Sequence, residues 1–169
     1  PNGQLHTFSD DRWKLKGTLS PPDHRRVMHL GSDRLSVQDS SSIREYDWES
    51  LREISAIPLP GANGDKNIHT RRTSDGRFWY YTNQGLYVWD GSQWILQLSG
   101  DHPSLGRSLS YFAETKDGTL WVSHTNGVER FTRNARSWET VPLPSFQGRR
   151  INAIQMAKNG SVWFATSGS

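Results

Sequence analysis

NIHTRRTSDGRFWYYTNQGLYVWDGSQW, residues 67–94, carries three apolar runs separated by two turn signals. Phe78, Trp79, Tyr80 and Tyr81 form an aromatic run, Leu86 to Trp89 form a second apolar run, and Trp94 opens a third. Asp75-Gly76 and Asp90-Gly91 stand between them. Aromatic side chains suit a pleated, half-buried surface and an Asp-Gly pair supplies a tight turn, so the stretch reads as three short antiparallel strands.

Outward from this stretch the same pattern recurs. Asp75-Gly76 followed by Phe78-Trp79 returns as Asp117-Gly118 followed by Leu120-Trp121, and again as Asn159-Gly160 followed by Val162-Trp163, both at a step of 42 residues. A degenerate copy lies earlier, where Ser32 to Val37 aligns with Asp75 to Tyr80 at a step of 43 without the tryptophan. There Ser40-Ser41-Ser42 replaces the glycine turn, which predicts the least regular loop of the set. Residues 1–15 match the second half of the unit, with Leu5 and Phe8 at the places of Leu86 and Trp89 and Trp13 parallel to Trp94. Gly17 to His24, with Pro21-Pro22, reads as a connector, because proline cannot donate to a strand ladder.

Units of about 42 residues, each with four short strands and a turn before an aromatic strand, argue an all-β propeller. A sandwich also alternates short strands, but nothing in it calls for the same turn and tryptophan at a fixed step. The blades are expected at 25–60, 67–98 and 108–144, with an outer half-blade at 1–15 and an inner half-blade at 151–169, all in one propeller region. Joining the two halves would close a ring of four; the competing expectation is a portion of a larger, seven- or eight-bladed propeller. The chain begins at Pro1, which points to a piece cut from a longer protein.

Composition bounds the rest. The chain has 169 residues and a net charge of +3, too mild for a nucleic-acid footprint, so no direct nucleic-acid partner is expected. Hydrophobic residues make up only 33%, so the core must come from eight Trp, six Phe and five Tyr. With no cysteine, disulfides, thiolate nucleophiles and cysteine metal sites are excluded together. No apolar run reaches the roughly 20 residues a spanning helix needs, so a membrane would be met only through flanking segments.

The repeat resembles the two-component regulator propeller repeat, a short consensus of paired aliphatics, an Asp-Gly turn, a Leu-Trp strand and a Gly-Leu-aromatic strand. Leu109, Phe112, Asp117, Gly118, Leu120, Trp121, Gly127 and Phe131 fit it best, and Ile151, Ile154, Asn159, Gly160, Trp163 and Thr166 fit next. Asn67 and Thr70 sit where the family has aliphatics, and the copy from Arg25 to Asp47 departs most. The resemblance implies the extracytoplasmic, periplasmic or extracellular, sensor portion of a bacterial receptor. Such portions are coupled to histidine kinases, diguanylate cyclases or DNA-binding regulators, and a dimer would form through the parent receptor. The consensus describes blade packing and carries no site residues.

Candidate chemistry must come from residues off the consensus. The Asp-Gly turns lack the ligand density of a calcium loop and read as turns. Trp79, Trp121 and Trp163 recur with the period and read as blade packing; the off-pattern Trp48 and Trp89 are the candidates for exposure, though Trp89 aligns with Phe131 and Phe8 and so reads as core in the first instance. Six scattered histidines show no metal spacing, and no nucleophile-elbow motif is present. Arg107 and Arg149 each stand ten residues before the turn residue, with Lys66 one residue off that register. Together with Asn83, His124 and Asn126 of the loops between second and third strands, they are expected on one rim. Basic groups on a rim focus field on an acidic ligand; ordinary surface charge is the plainer reading.

The expectation is therefore a non-catalytic recognition propeller that needs no cofactor or metal and binds an acidic glycan or a protein partner at that loop face. The alternatives are a metal-dependent enzyme of the virginiamycin lyase type using His124, and a structural array contacting other domains of its own chain.

Overall fold

The computed structural model of the chain describes residues 3–20, 26–30, 33–60, 69–82, 84–99, 109–124, 127–132, 136–142, 151–157 and 159–167. All their regular structure is strand, in five antiparallel sheets that each follow chain order. Two compact units contain them, Pro1–Lys66 and Asn67–Ser169.

In the first unit, β1 (Gln4–Ser9) and β2 (Arg12–Thr18) form a hairpin, and β3 (Arg26–Leu30), β4 (Arg34–Gln38), β5 (Ser42–Asp47) and β6 (Glu53–Pro58) form a four-stranded sheet. Asp10 and Asp11 turn the hairpin with φ of 54° and 58°, the mirror-image turn whose twist matches the strands it joins. β2 continues through Gly17 and Thr18, into the stretch expected as connector. Gly17 lies close against Leu51, where a Cβ would come 2.5 Å from Leu51 Cδ1. Leu19, Leu35, Val37 and Tyr46 make the buried core between them, with Leu5, Trp48 and Leu51 packed alongside. Lys16 Nζ lies 4.3 Å from the Trp48 ring centre, so that tryptophan is half-buried under a cation rather than free at the surface.

In the second unit, β7 (His69–Arg72), β8 (Phe78–Thr82), β9 (Gly85–Trp89) and β10 (Trp94–Ser99) form one sheet. β11 (Leu109–Glu114), β12 (Leu120–His124), β13 (Gly127–Thr132) and β14 (Ser137–Val141) form the next, and β15 (Ile151–Met156) pairs with β16 (Val162–Thr166). Trp79, Tyr81, Leu86, Val88 and Leu98 of the first sheet face Phe112, Leu120 and Val122 of the second in one buried cluster. Each of these side chains contributes roughly 2 kcal/mol on burial. Polar contacts lock the same interface: Arg71 Nη1 donates to the Phe112 carbonyl (2.9 Å), and the Ser74 N–H and hydroxyl donate to the Glu114 carboxylate (2.6 and 2.8 Å). β15 runs beside β11, and Trp121 meets Phe164 edge-on at 6.1 Å.

The turn that carries the period is one structure used three times. The Thr73, Thr115 and Ala157 N–H groups donate to the carbonyls of Arg77, Thr119 and Ser161, and Gly76, Gly118 and Gly160 donate back to the first residue of each turn. The three glycines hold φ of 84°, 80° and 87°, which a side chain would strain. Asp75 Oδ1 accepts the Thr73 hydroxyl (2.5 Å) and the Arg77 N–H (3.2 Å), Asp117 accepts from Thr115 and Thr119 in the same way, and Asn159 Oδ1 accepts the Ser161 N–H (3.0 Å). In β7–β10 the same threonine also receives the indole N–H of Trp79 (3.2 Å).

The periodic tryptophans do not share one environment. Trp79 is buried and Trp121 half-buried, but Trp163 is 67% exposed, because β15–β16 has only two strands and nothing described covers its outer face. Ser36 holds the tryptophan's place in β4 and is fully buried, on a face shared with Glu45 through the register. That face is polar where β7–β10 is aromatic: Ser55 donates to Glu45 Oε2 at 3.2 Å, and Arg34 Nη1 lies 3.9 Å from the same oxygen.

Candidate functional site

The first strand of each sheet begins where the second ends, as the pairings Arg26 with Gln38, Leu109 with His124 and Ile151 with Thr166 fix. This is the end at which the candidate rim residues were expected. Lys66, Asn83, Arg107, Asn126 and Arg149 lie outside the described residues. His124 is described, and it closes β12 instead of standing in the loop after it. Its side chain is buried, with Nε2 at 3.7 Å from Glu129 Oε1, and that oxygen accepts the Thr140 hydroxyl at 2.9 Å.

Laid over one another at the repeat step, Asp39, Thr82 and His124 occupy one position, the last or next residue of the second strand. All three are buried, and two of them hold the following turn by the same means. The Thr82 hydroxyl accepts the Gln84 N–H at 3.0 Å. Asp39 Oδ1 accepts the N–H groups of Ser41 (2.7 Å) and Ser42 (2.6 Å), and its Oδ2 accepts the Ser42 hydroxyl (2.7 Å) and Arg44 Nε (2.5 Å). The turn expected to be the least regular is thus tightly bonded, because one carboxylate supplies the acceptors that a glycine turn would find in backbone. Burial pushes the Asp39 carboxyl up, but the bonds from Arg44, Ser41 and Ser42 outweigh it and hold its pKa at about 2. Asp39 in turn raises Arg44, which also reaches Glu53 Oε2 at 2.7 Å.

The partner position shows the matching exchange. Arg44 pairs in register with Val37, Tyr87 with Tyr80 and Glu129 with Val122. One sheet therefore pairs an acid on the second strand with a base on the third, Asp39 with Arg44, and another reverses the order with His124 and Glu129. The sequence signal for Arg44 and Glu129 is a charge standing at the repeat position that Tyr87 holds in the central copy. Asp39 and Arg44 are hydrogen-bonded across the strands with Arg44 half-buried, whereas His124 and Glu129 are both buried and only approach each other. Among the described residues no three His, Asp or Glu side chains gather as a metal site.

No protein family's sequence profile matches the chain, and no curated protein matches it in sequence. Solved structures do match. The extracellular domain of a one-component system from B. thetaiotaomicron aligns over 92% of this chain with a TM-score of 0.67 at 18% identity. The chain shares its fold with that extracellular domain. The extracellular domain of a hybrid two-component system from the same organism covers 85% at a TM-score of 0.57 and 15% identity. A catalytically inactive virginiamycin B lyase from Staphylococcus aureus, solved with quinupristin, covers 86% at 0.62 and 19%. The chain spans 21% and 20% of the two receptor domains and 50% of the lyase. In fold, these ectodomains agree with the resemblance carried by the repeat.

Proposed function

We propose that the chain is a recognition portion of an extracytoplasmic, bacterial sensor propeller, binding without catalysis at the end of the sheets where first strands begin. The observation that carries this reading is the match of 92% of the chain to a receptor's extracellular domain at a TM-score of 0.67. The ligand class proposed is an acidic glycan or an acidic protein surface. Arg107 and Arg149 share one place in the repeat, and Lys66 stands one residue off it, so three cations recur at nearly the same repeat position in the sequence. Arg107→Glu with Arg149→Glu is expected to leave the circular dichroism spectrum unchanged and to weaken heparin binding at least about tenfold at low salt, with a smaller difference at high salt. Equal heparin affinity in the double variant would sink the ligand assignment and leave the fold untouched.

A second reading, a metal-dependent lyase, has the lyase match behind it. His124 would be its candidate residue, and its burial beside Glu129 favours a structural role instead. Divalent-metal-dependent turnover of quinupristin, lost in His124→Ala with the fold retained, would reverse that preference.

A further inference from the structure

Two of the three periodic turns carry aspartate at their Asx position, and the third carries Asn159 followed directly by Gly160. Asparagine is a thermolabile residue, and before glycine its side-chain amide meets a backbone nitrogen that no side chain crowds. Asp75, Asp117 and Asn159 are all exposed, so solvent access at this place is a property of the turn itself.

The copies differ in what holds the side chain. Thr73 and Thr115 donate their hydroxyls to Asp75 and Asp117. Ala157 stands at the place of those threonines and has no hydroxyl to give. The Asn159 amide is held by its oxygen, which accepts the Ser161 N–H at 3.0 Å. The neighbouring backbone nitrogen is held too: the Gly160 N–H donates to the Ala157 carbonyl at 3.0 Å. A nitrogen whose proton is engaged in a hydrogen bond attacks more slowly than a solvated one.

We propose that Asn159 is a site of spontaneous deamidation, paced by the turn that holds it. The Gly160 nitrogen, losing its proton, attacks Asn159 Cγ. The new C–N bond closes a succinimide ring as the Cγ–Nδ2 bond breaks, and the amide nitrogen leaves with that proton as ammonia. Water then opens the ring. Cleavage between the nitrogen and Cγ gives aspartate; cleavage between the nitrogen and the main-chain carbonyl carbon gives isoaspartate, whose backbone runs through Cγ and is one atom longer.

The two products fare differently here. Aspartate already sits in this turn twice, with Asp75 Oδ1 accepting the Arg77 N–H and Asp117 Oδ1 the Thr119 N–H. Isoaspartate inserts its extra atom inside the loop closed by the bonds of Ala157 with Gly160 and with Ser161, and both bonds are lost. The adjoining pair, Met156 with Val162, then frays. This inference rests on the turn and stands apart from the receptor reading.

The test is to age the purified chain at mildly alkaline pH and physiological temperature and to map its peptides by mass spectrometry, detecting isoaspartate by labelling with an isoaspartyl methyltransferase. The peptide containing Asn159 is expected to show the mass gain of an amide replaced by an acid, together with the label, at least about tenfold more slowly than in the same chain held in guanidinium chloride. Asn159→Ser removes the reacting amide and is expected to abolish both signals at that place. Amide hydrogen exchange separates the products: Asn159→Asp is expected to keep the protection of the Ala157 and Gly160 N–H groups, and the isoaspartyl form to lose it at least about tenfold. No conversion at Asn159 while the unfolded chain converts to completion, equal rates in the folded and unfolded chain, or an isoaspartyl form as protected as Asn159→Asp overturns the proposal.

Discussion

Asp39 illustrates how one side chain can replace a sequence signal. Its carboxylate is buried, yet stays ionised because Arg44 and the backbone of its own turn donate to it. A folded pKa of about 2 against an ordinary 3.8 means that the folded state releases this proton more readily than the unfolded chain. The resulting stabilisation, about 2 kcal/mol, is fully present above pH ~4 and is lost as pH falls toward 2. Urea midpoints measured from pH 5 to pH 2 are expected to fall less steeply in Asp39→Asn than in the parent protein; parallel slopes would show that Asp39 contributes nothing to acid sensitivity. None of this was legible in Ser40-Ser41-Ser42, which lacks glycine and reads as irregular. The information sat one residue earlier, in an acid whose partners are fixed only once β4 and β5 pair. Arg44 and Glu129 show in the sequence as charges at the place of Tyr87, but not which side they face: a charge in a strand looks solvent-facing until the register turns it inward.

At the level of the strand and its turn, sequence carried most of the answer. The turn of Thr73 to Arg77 is local chemistry, an Asx side chain and a glycine within five residues, so three copies adopt it wherever they occur. Burial of the tryptophan that follows depends on a neighbouring sheet, which a local pattern does not encode. Trp79 packs against Phe112 with ring centres 5.5 Å apart, while Trp163 has no such covering among the described residues. Trp79→Ala is expected to cost about 3–5 kcal/mol and Trp163→Ala less than about 1 kcal/mol, by chemical denaturation. Similar losses at both sites would mean that Trp163 is packed in solution. Ser36 makes the same point in reverse, since losing the tryptophan turned an aromatic face into a buried polar one with Glu45.

Across the whole molecule, stability should follow contact between successive sheets, as in any array whose members touch only their neighbours. The interface of β7–β10 with β11–β14 combines an apolar cluster with two polar clamps, Arg71 on the Phe112 carbonyl and Glu114 on Ser74. Trp79 and Phe112 share that interface, so Trp79→Ala combined with Phe112→Ala is expected to cost less than the separate losses together, by at least about 1 kcal/mol, because the first truncation already removes the partner of the second. Asp39 lies in the other compact unit. Asp39→Ala combined with Trp79→Ala should therefore be additive to within about 0.5 kcal/mol. Unfolding followed by tryptophan fluorescence and circular dichroism on the three singles and two doubles distinguishes the cases. Additivity in the Trp79 and Phe112 pair would mean that the aromatic cluster is not the element holding the two sheets together, and the polar clamps, tested through Glu114→Gln, would take that role.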